Sequence, residues 1–233
     1  MKTLSKLLLF SFFFFLVACD KTGDENELPN SLSSIKDGKT LSGKITNFSG
    51  TEITKLKLIG EGEWDEESGD TKDELLAECN VTSNGEFSLT LKTPSNSNLK
   101  NIQDLMGGNF EGDISDKGAF VSNYDFLGAI AAYKGDEEIG YVFRGNSDMF
   151  EDWAQPPFSV SLLIYSDRKI TIKGQDRSTE NGHSHNCYYD FTLYKGWNEV
   201  VWKVLEYTSS KSSVSISNVN TDDMQWKFHS GFN

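Results

Sequence analysis

Residues 181 to 187 read NGHSHNC, and three of them belong to the types that hold metals. If the segment is extended, two-residue alternation puts His183, His185 and Cys187 on one face, where imidazole and thiolate suit Zn, Cu or a haem iron. A structural metal site normally takes four such ligands, and His229 is the only other histidine. The competing reading is a polar loop after Asn181-Gly182, with Cys187 turned into a core.

A second candidate is the acidic run EGEWDEESGDTKDE, residues 61 to 74, which can gather oxygen ligands for Ca²⁺ around Asp65, Glu66, Asp70 and Asp73. It lacks the ordered spacing and central glycine of an EF-hand loop, and most charge runs are solvated faces. Glu111, Asp113 and Asp116 form a weaker group of the same kind. Five tryptophans raise the prospect of stacking on sugar rings. Trp202, alternating with Val200 and Val204, and Trp226, in a terminal strand, are expected in the core. Trp64 in the acidic run and Trp153 before Pro156-Pro157 are the loop aromatics, and so the glycan-contact candidates. For catalysis the pattern is poor: there is no G-x-S-x-G elbow, no H-E-x-x-H helix and no phosphate-cradling glycine loop. Two carboxylates can still meet in space, but choosing a pair among 35 acids has no basis. The chain is therefore expected not to be an enzyme.

The third cysteine belongs to a different chemistry. Lys2 and Lys6 open a short basic start, and an apolar run follows from Leu7 to Ala18, the plan of a secretion signal. The run falls short of the roughly 20 apolar residues a membrane span needs. Leu16-Val17-Ala18-Cys19 resembles the lipobox of bacterial lipoproteins, which implies cleavage before Cys19 and lipidation of that residue. Removal of residues 1–18 takes two of the 22 basic residues and none of the 35 acids, leaving a formal charge of −15. Such a surface repels phosphate backbones, so nucleic acid is not an expected partner, and the expected membrane contact is the lipid itself. Cys79 and Cys187 remain. In an exported chain they can form a disulfide, and they fit equally well as two separate core thiols.

Residues 20–34, DKTGDENELPNSLSS, are polar, carry Pro29 and show no apolar period, which reads as a flexible tether spanning about 20 Å. Asp20 resembles an inner-membrane retention signal of enterobacteria, whereas Lys21 followed by Asp24-Glu25 resembles a surface-export signal of the Bacteroidota. The expected location is the cell envelope, with the outer membrane favoured.

From Asp37 onward, alternation with a period of two dominates. Leu41, Gly43 and Ile45 alternate with polar neighbours, as do Thr54, Leu56 and Leu58, then Leu75, Ala77, Cys79 and Val81, and then Phe87, Leu89 and Leu91. Asn84-Gly85 suits a tight hairpin between the last two. Leu99 to Met106 is the one helical candidate. Further strands are expected at 119–133, 139–144, 158–165, 169–173, 187–194, 197–205, 214–217 and 225–228. The expected fold class is all-β with β-sandwich architecture. The chain divides into a signal peptide at 1–18, anchor and tether at 19–36, a first antiparallel unit at 37–95, a linker with one short helix at 96–118, and a second antiparallel β domain at 119–233.

Ser42-Gly43-Lys44-Ile45 and Val81-Thr82-Ser83-Asn84-Gly85-Glu86-Phe87-Ser88-Leu89 open and close a stretch that resembles the carboxypeptidase-regulatory, or transthyretin-like, β-sandwich. The acidic insert after Gly60 departs from that pattern. The second half, with LYKGWNEVVWKV and MQWKF, resembles outer-membrane lipoproteins of the Bacteroidota, a likeness that implies no activity. Together these features predict a lipid-anchored, non-catalytic binding or accessory module whose ligand is a glycan or an envelope protein. The alternatives are metal or haem capture through His183, His185 and Cys187, and a structural part of an outer-membrane protein complex.

Overall fold

The computed structural model describes residues 35–36, 39–49, 53–60, 64–65, 70–71, 73–122, 129–146, 156, 158–219, 221 and 223–230, of which 36, 64–65 and 70–71 are described by their backbone. Cys19, the tether, Glu66 and Trp153 lie outside these residues, as do the side chains of Trp64, Asp65 and Asp70. In chain order the strands are β1 (Ile35–Lys36), β2 (Thr40–Lys44), β3 (Lys55–Gly60), β4 (Trp64–Asp65), β5 (Asp70–Thr71), β6 (Glu74–Asn80) and β7 (Glu86–Thr90). A 3₁₀ turn (Asn96–Asn98) follows, then β8 (Leu99–Asn101), helix α1 (Ile102–Met106), β9 (Phe110–Ile114) and β10 (Phe120–Ser122). The remainder are β11 (Ile130–Lys134), β12 (Glu137–Gly145), β13 (Ser159–Ser166), β14 (Ile170–Glu180), β15 (His183–Leu193), β16 (Gly196–Tyr207), β17 (Lys211–Ser217) and β18 (Gln225–Ser230).

The protein is all-β and sandwich-like. A 3-stranded sheet runs β1-β2-β7, and a 13-stranded sheet runs β6-β3-β11-β12-β13-β16-β17-β15-β14-β9, with β18 on β12, and β10 on β13 and β8. Strand β13 explains how the layers meet. Its sequence SVSLLIYS has no clean alternation because both faces are covered, as a central strand requires. Leu163, with Tyr165 packed beside it, faces one core, which is closed from above by Leu41, Phe87 and Leu89 of the small sheet. Val160, Leu162 and Ile164 face a second core shared with Ile102, Met106, Ile172, Phe191 and Val200. Residues of β13 and β16 thus share one interior with residues of β14 and β15, so the sheet must bend over itself around the second core.

This arrangement corrects several expectations. The two β units persist as two cores but not as two sheets, because β3 pairs with β11 at Lys57↔Ala131, Leu56↔Ala132 and Lys55↔Tyr133. Residues 96–118 are more than a linker: β8 pairs with β10, β9 pairs with β14, and Ile102 and Met106 are core residues. The helix begins only at Ile102, where the Asn101 side chain accepts from the Gln103 N–H at 2.9 Å and so caps it. Asn84-Gly85 makes the expected tight turn, closed by the Gly85 N–H on the Thr82 carbonyl and the Thr82 N–H on the Glu86 carbonyl, but no ladder joins the strands on either side. Strands β6 and β7 belong to different sheets, and Gly85, at φ +83°, lets the chain arch from one layer to the other.

The second domain is also not wholly antiparallel. Strands β15 and β16 leave the Tyr194–Lys195 turn diverging, and β17 enters between them, antiparallel to β16 and parallel to β15. The Asn218 side chain accepts from the Thr192 N–H where that wedge ends. This splay opens the face that carries the candidate site.

Candidate functional site

The cross-strand register arranges β16, β17, β15 and β14 into rows on the face that looks toward the second core. The first row is Trp202, Ile216, Tyr189 and Gly174. The second is Val204, Val214, Cys187 and Asp176, and the third is Tyr207, Ser212, His185 and Ser178. Because residues paired across strands point the same way, each row is a continuous strip.

The first row is roofed. Phe158 meets the Trp202 indole edge to face with ring centroids 5.9 Å apart, and Phe110 of β9 meets Tyr189 in the same manner at 5.7 Å. Phe110 also lies over Gly174, where an added Cβ would come within 2.8 Å of its ring. Beyond these aromatics the cover ends. Rows two and three form an open groove of about 440 Å³, within the usual range for small-ligand sites. Its floor is the Trp202 ring with Val204, Val214 and Cys187, and its walls carry Asp176, Ser178, His185 and Ser212.

Strand β15 supplies the histidines. Asn181 at φ 50° and Gly182 at φ 81° make the two-residue turn between β14 and β15, as an Asn-Gly pair favours, and the strand then starts at His183. The polar-loop reading therefore gives way to the extended one, and His183, His185 and Cys187 do share a face. The two imidazoles lie 4.5 Å apart between centroids, tilted by 34°. His183 Nδ1 contacts the Ser209 carbonyl at 3.2 Å, and His185 Nδ1 contacts Ser212 Oγ at 2.8 Å. Cys187 is set apart from this pair by its environment: burial pushes its thiol up to about 11, so at neutral pH it is a protonated, poorly nucleophilic group in the groove floor.

The remaining sequence candidates are dispersed. His229 lies on β18 opposite Tyr141 of β12, and β13, β16 and β17 stand between β12 and β15. The expected four-donor set is not assembled. Of the two readings open for the remaining cysteines, the structure has the separate thiols: Cys79 and Cys187 are free, one packed against each core, with the width of the sheet between β6 and β15. Asp116 accepts from the Gly118 N–H and pairs with Arg168 at 3.4 Å, Glu111 accepts from Gln175, and Asp113 lies opposite Lys173 on β14. The acidic insert forms the short β4–β5 ladder, and Asp73 beside it is exposed. Among the described residues, no group of three or more His, Cys, Asp or Glu is arranged to hold a metal.

Trp226 is buried as expected, and Trp202 is not: it is half-buried and lies in the groove floor. The alternation that marked Val200, Trp202 and Val204 as one face was sound, but that face runs out of the core into the groove. Asp176, Ser178, Tyr207 and Ser212 were not legible as site residues at all. They become neighbours only through the β15–β17 wedge, and no local pattern in GQDRSTE or KSSVSIS announces it. Compared with known proteins by sequence and by structure, the chain matches no family model, no curated protein and no solved structure.

Proposed function

We propose that the chain is a non-catalytic, lipid-anchored binding module of a bacterial cell envelope, and that the groove on β14–β17 takes a glycan. The single observation that carries this reading is the half-buried Trp202 ring, steadied by Phe158 and bordered by Asp176, Ser178, His185 and Ser212. A pyranose has an apolar face ringed by hydroxyls. An indole beside acceptors and hydroxyl donors offers the matching surface, apolar at the centre and polar at the rim. Trp202 takes over the stacking role that the sequence suggested for Trp64 and Trp153.

The anchor supports the same reading. Cys19 at the end of a lipobox-like segment, followed by a polar tether, would hold the folded body about 20 Å from a membrane, where it meets polysaccharide. The strong negative charge directs the choice of ligand toward neutral or basic glycans and away from polyanions.

The test is a glycan array probed with the full chain in detergent micelles, with the Trp202→Ala variant alongside. Binding to a defined set of neutral glycans, weakened about tenfold or more by Trp202→Ala, is the expected result. No binding, or binding indifferent to Trp202, would overturn the groove as the site. Recovery of one constant protein partner from membranes, without sugar affinity, would favour a structural role in an envelope complex.

A further inference from the structure

The His183–His185 pair does more than border the groove, and we propose that it binds one divalent ion of the late first transition row, Cu²⁺ in preference to Zn²⁺, through the two Nε2 atoms. The argument begins with the tautomer. A carbonyl oxygen only accepts, so the contact between the Ser209 carbonyl and His183 Nδ1 puts the proton on Nδ1. The neutral ring then presents Nε2 as a bare lone pair. That atom is buried and has no hydrogen-bond partner among the described residues. Buried polar atoms are rarely left so, and an orphan of this kind commonly marks the place of a water or an ion.

His185 is built alike. Its Nδ1 meets Ser212 Oγ at 2.8 Å, and with the hydroxyl as acceptor Nε2 is the nitrogen available to a ligand. A backbone carbonyl or hydroxyl on the far nitrogen is the usual device for orienting a metal-ligating imidazole and raising its basicity. Here the two rings receive that support from neighbouring positions of a single turn and strand, Ser209 and Ser212, and they lie 4.5 Å apart on one face of one strand. Two neutral imidazoles suit Cu²⁺ above Zn²⁺, in keeping with the general order of affinities.

The remaining ion positions are filled by water or a groove ligand, since no third His, Cys, Asp or Glu joins the group among the described residues. Cys187 lies further along β15 in the groove floor beside Val204 and Val214, and His229 sits across the sheet. The proposal does not depend on the glycan reading: the orphan nitrogen belongs to His183, which lies outside the residues that line the groove.

The experiment is a titration of the full chain in detergent with CuCl₂, followed by calorimetry and by electron paramagnetic resonance. One equivalent of Cu²⁺ is expected, with hyperfine coupling to two imidazole nitrogens. His183→Gln and His185→Gln are each expected to weaken binding at least tenfold, and His229→Gln and Cys187→Ser to leave it within twofold. ZnCl₂ is expected to bind the same site more weakly. Thermal melts without metal check that each variant is folded. The resonance spectrum of the wild-type chain needs no variant, so a misfolded mutant does not block the test. Fewer than two nitrogens in the spectrum, affinity unchanged in His183→Gln, or loss of binding in His229→Gln would each overturn the proposal. Loss of copper binding in His183→Gln with Trp202-dependent glycan binding retained would separate this site from the groove's other role.

Discussion

Arg144 on β12 donates from one guanidinium nitrogen to both carboxylate oxygens of Glu199 on β16, at 2.9 and 3.0 Å, across the strand that separates them. The Glu199 side chain is completely buried and that of Arg144 nearly so. Ser161 of β13 donates to the same carboxylate, and the other guanidinium terminus donates to the Thr221 carbonyl at 3.0 Å. A charge pair at this depth costs desolvation on both sides and is retained only while its hydrogen bonds are met.

Removing one partner should therefore cost far more than removing both. Arg144→Met leaves a carboxylate in the core without its cation and should lower unfolding stability by about 3–5 kcal/mol, whereas Arg144→Met with Glu199→Leu should recover most of that loss. Urea denaturation of the single and double variants decides the matter. A single variant within about 1 kcal/mol of the parent would show that water reaches the pair.

A second prediction concerns acid. Burial alone would raise the Glu74 carboxyl, but the Ser95 backbone N–H at 2.9 Å, the Asn98 amide, the Ser95 hydroxyl at 2.8 Å and nearby Lys92 together bring it below its ordinary value. A lowered carboxyl stabilises the fold above the unfolded-state value of about 4.3 and loses that contribution as pH falls through the folded value. Glu74→Gln should cost about 1 kcal/mol at pH near 7, with the gap to the parent closing below about pH 4. Melting curves across that range report it, and a gap that stays constant with pH would contradict the assignment.

The cysteines offer a chemical readout. Burial raises the thiols of both Cys79 and Cys187, the second to about 11. Iodoacetamide at neutral pH should label Cys187 at least tenfold more slowly than an exposed thiol in the folded chain, and should label both residues without reductant in denaturant. Peptide mass spectrometry of the products would also expose a Cys79–Cys187 disulfide, which should be absent.

The cover that β9 lays over the first row depends on a pair of facing glycines. Gly112 on β9 lies opposite Gly174 on β14, and an added Cβ at Gly112 would sit 2.3 Å from the Lys173 carbonyl oxygen. That neighbour is backbone and cannot yield cheaply, so Gly112→Ala should displace β9 and lower stability by about 1–3 kcal/mol. Thermal denaturation tests the loss, and an unchanged melting temperature would mean that β9 has room to shift.

How far these features were legible follows from what each rests on. Strands with one wet face, such as Glu86–Thr90 with its buried Phe87 and Leu89, could be read directly because alternation survives there. Strand β13 kept its apolar run but hid which residue faced which core. The outer halves of β14 and β15 were missed: in GQDRSTE and HSHN one face is solvent and the other a groove, so neither shows hydrophobic periodicity. Their pairing is made by backbone ladders, from Ile170↔Leu193 to Glu180↔His183.

The amino-acid sequence by itself determined the class of fold, and offered the placing of His183, His185 and Cys187 on one face as one of two readings of the segment after Asn181-Gly182. Each follows from local stereochemistry, in which the two-residue period and the positive-φ tolerance of Asn-Gly act within a few residues. Only the tertiary structure decided that β3 joins β11, that Cys79 and Cys187 stand apart, and that Trp202 borders a groove beside Asp176 and His185. These depend on which strands become neighbours. That choice is made by the burial of two cores on opposite faces of one sheet, and no short window of residues contains it.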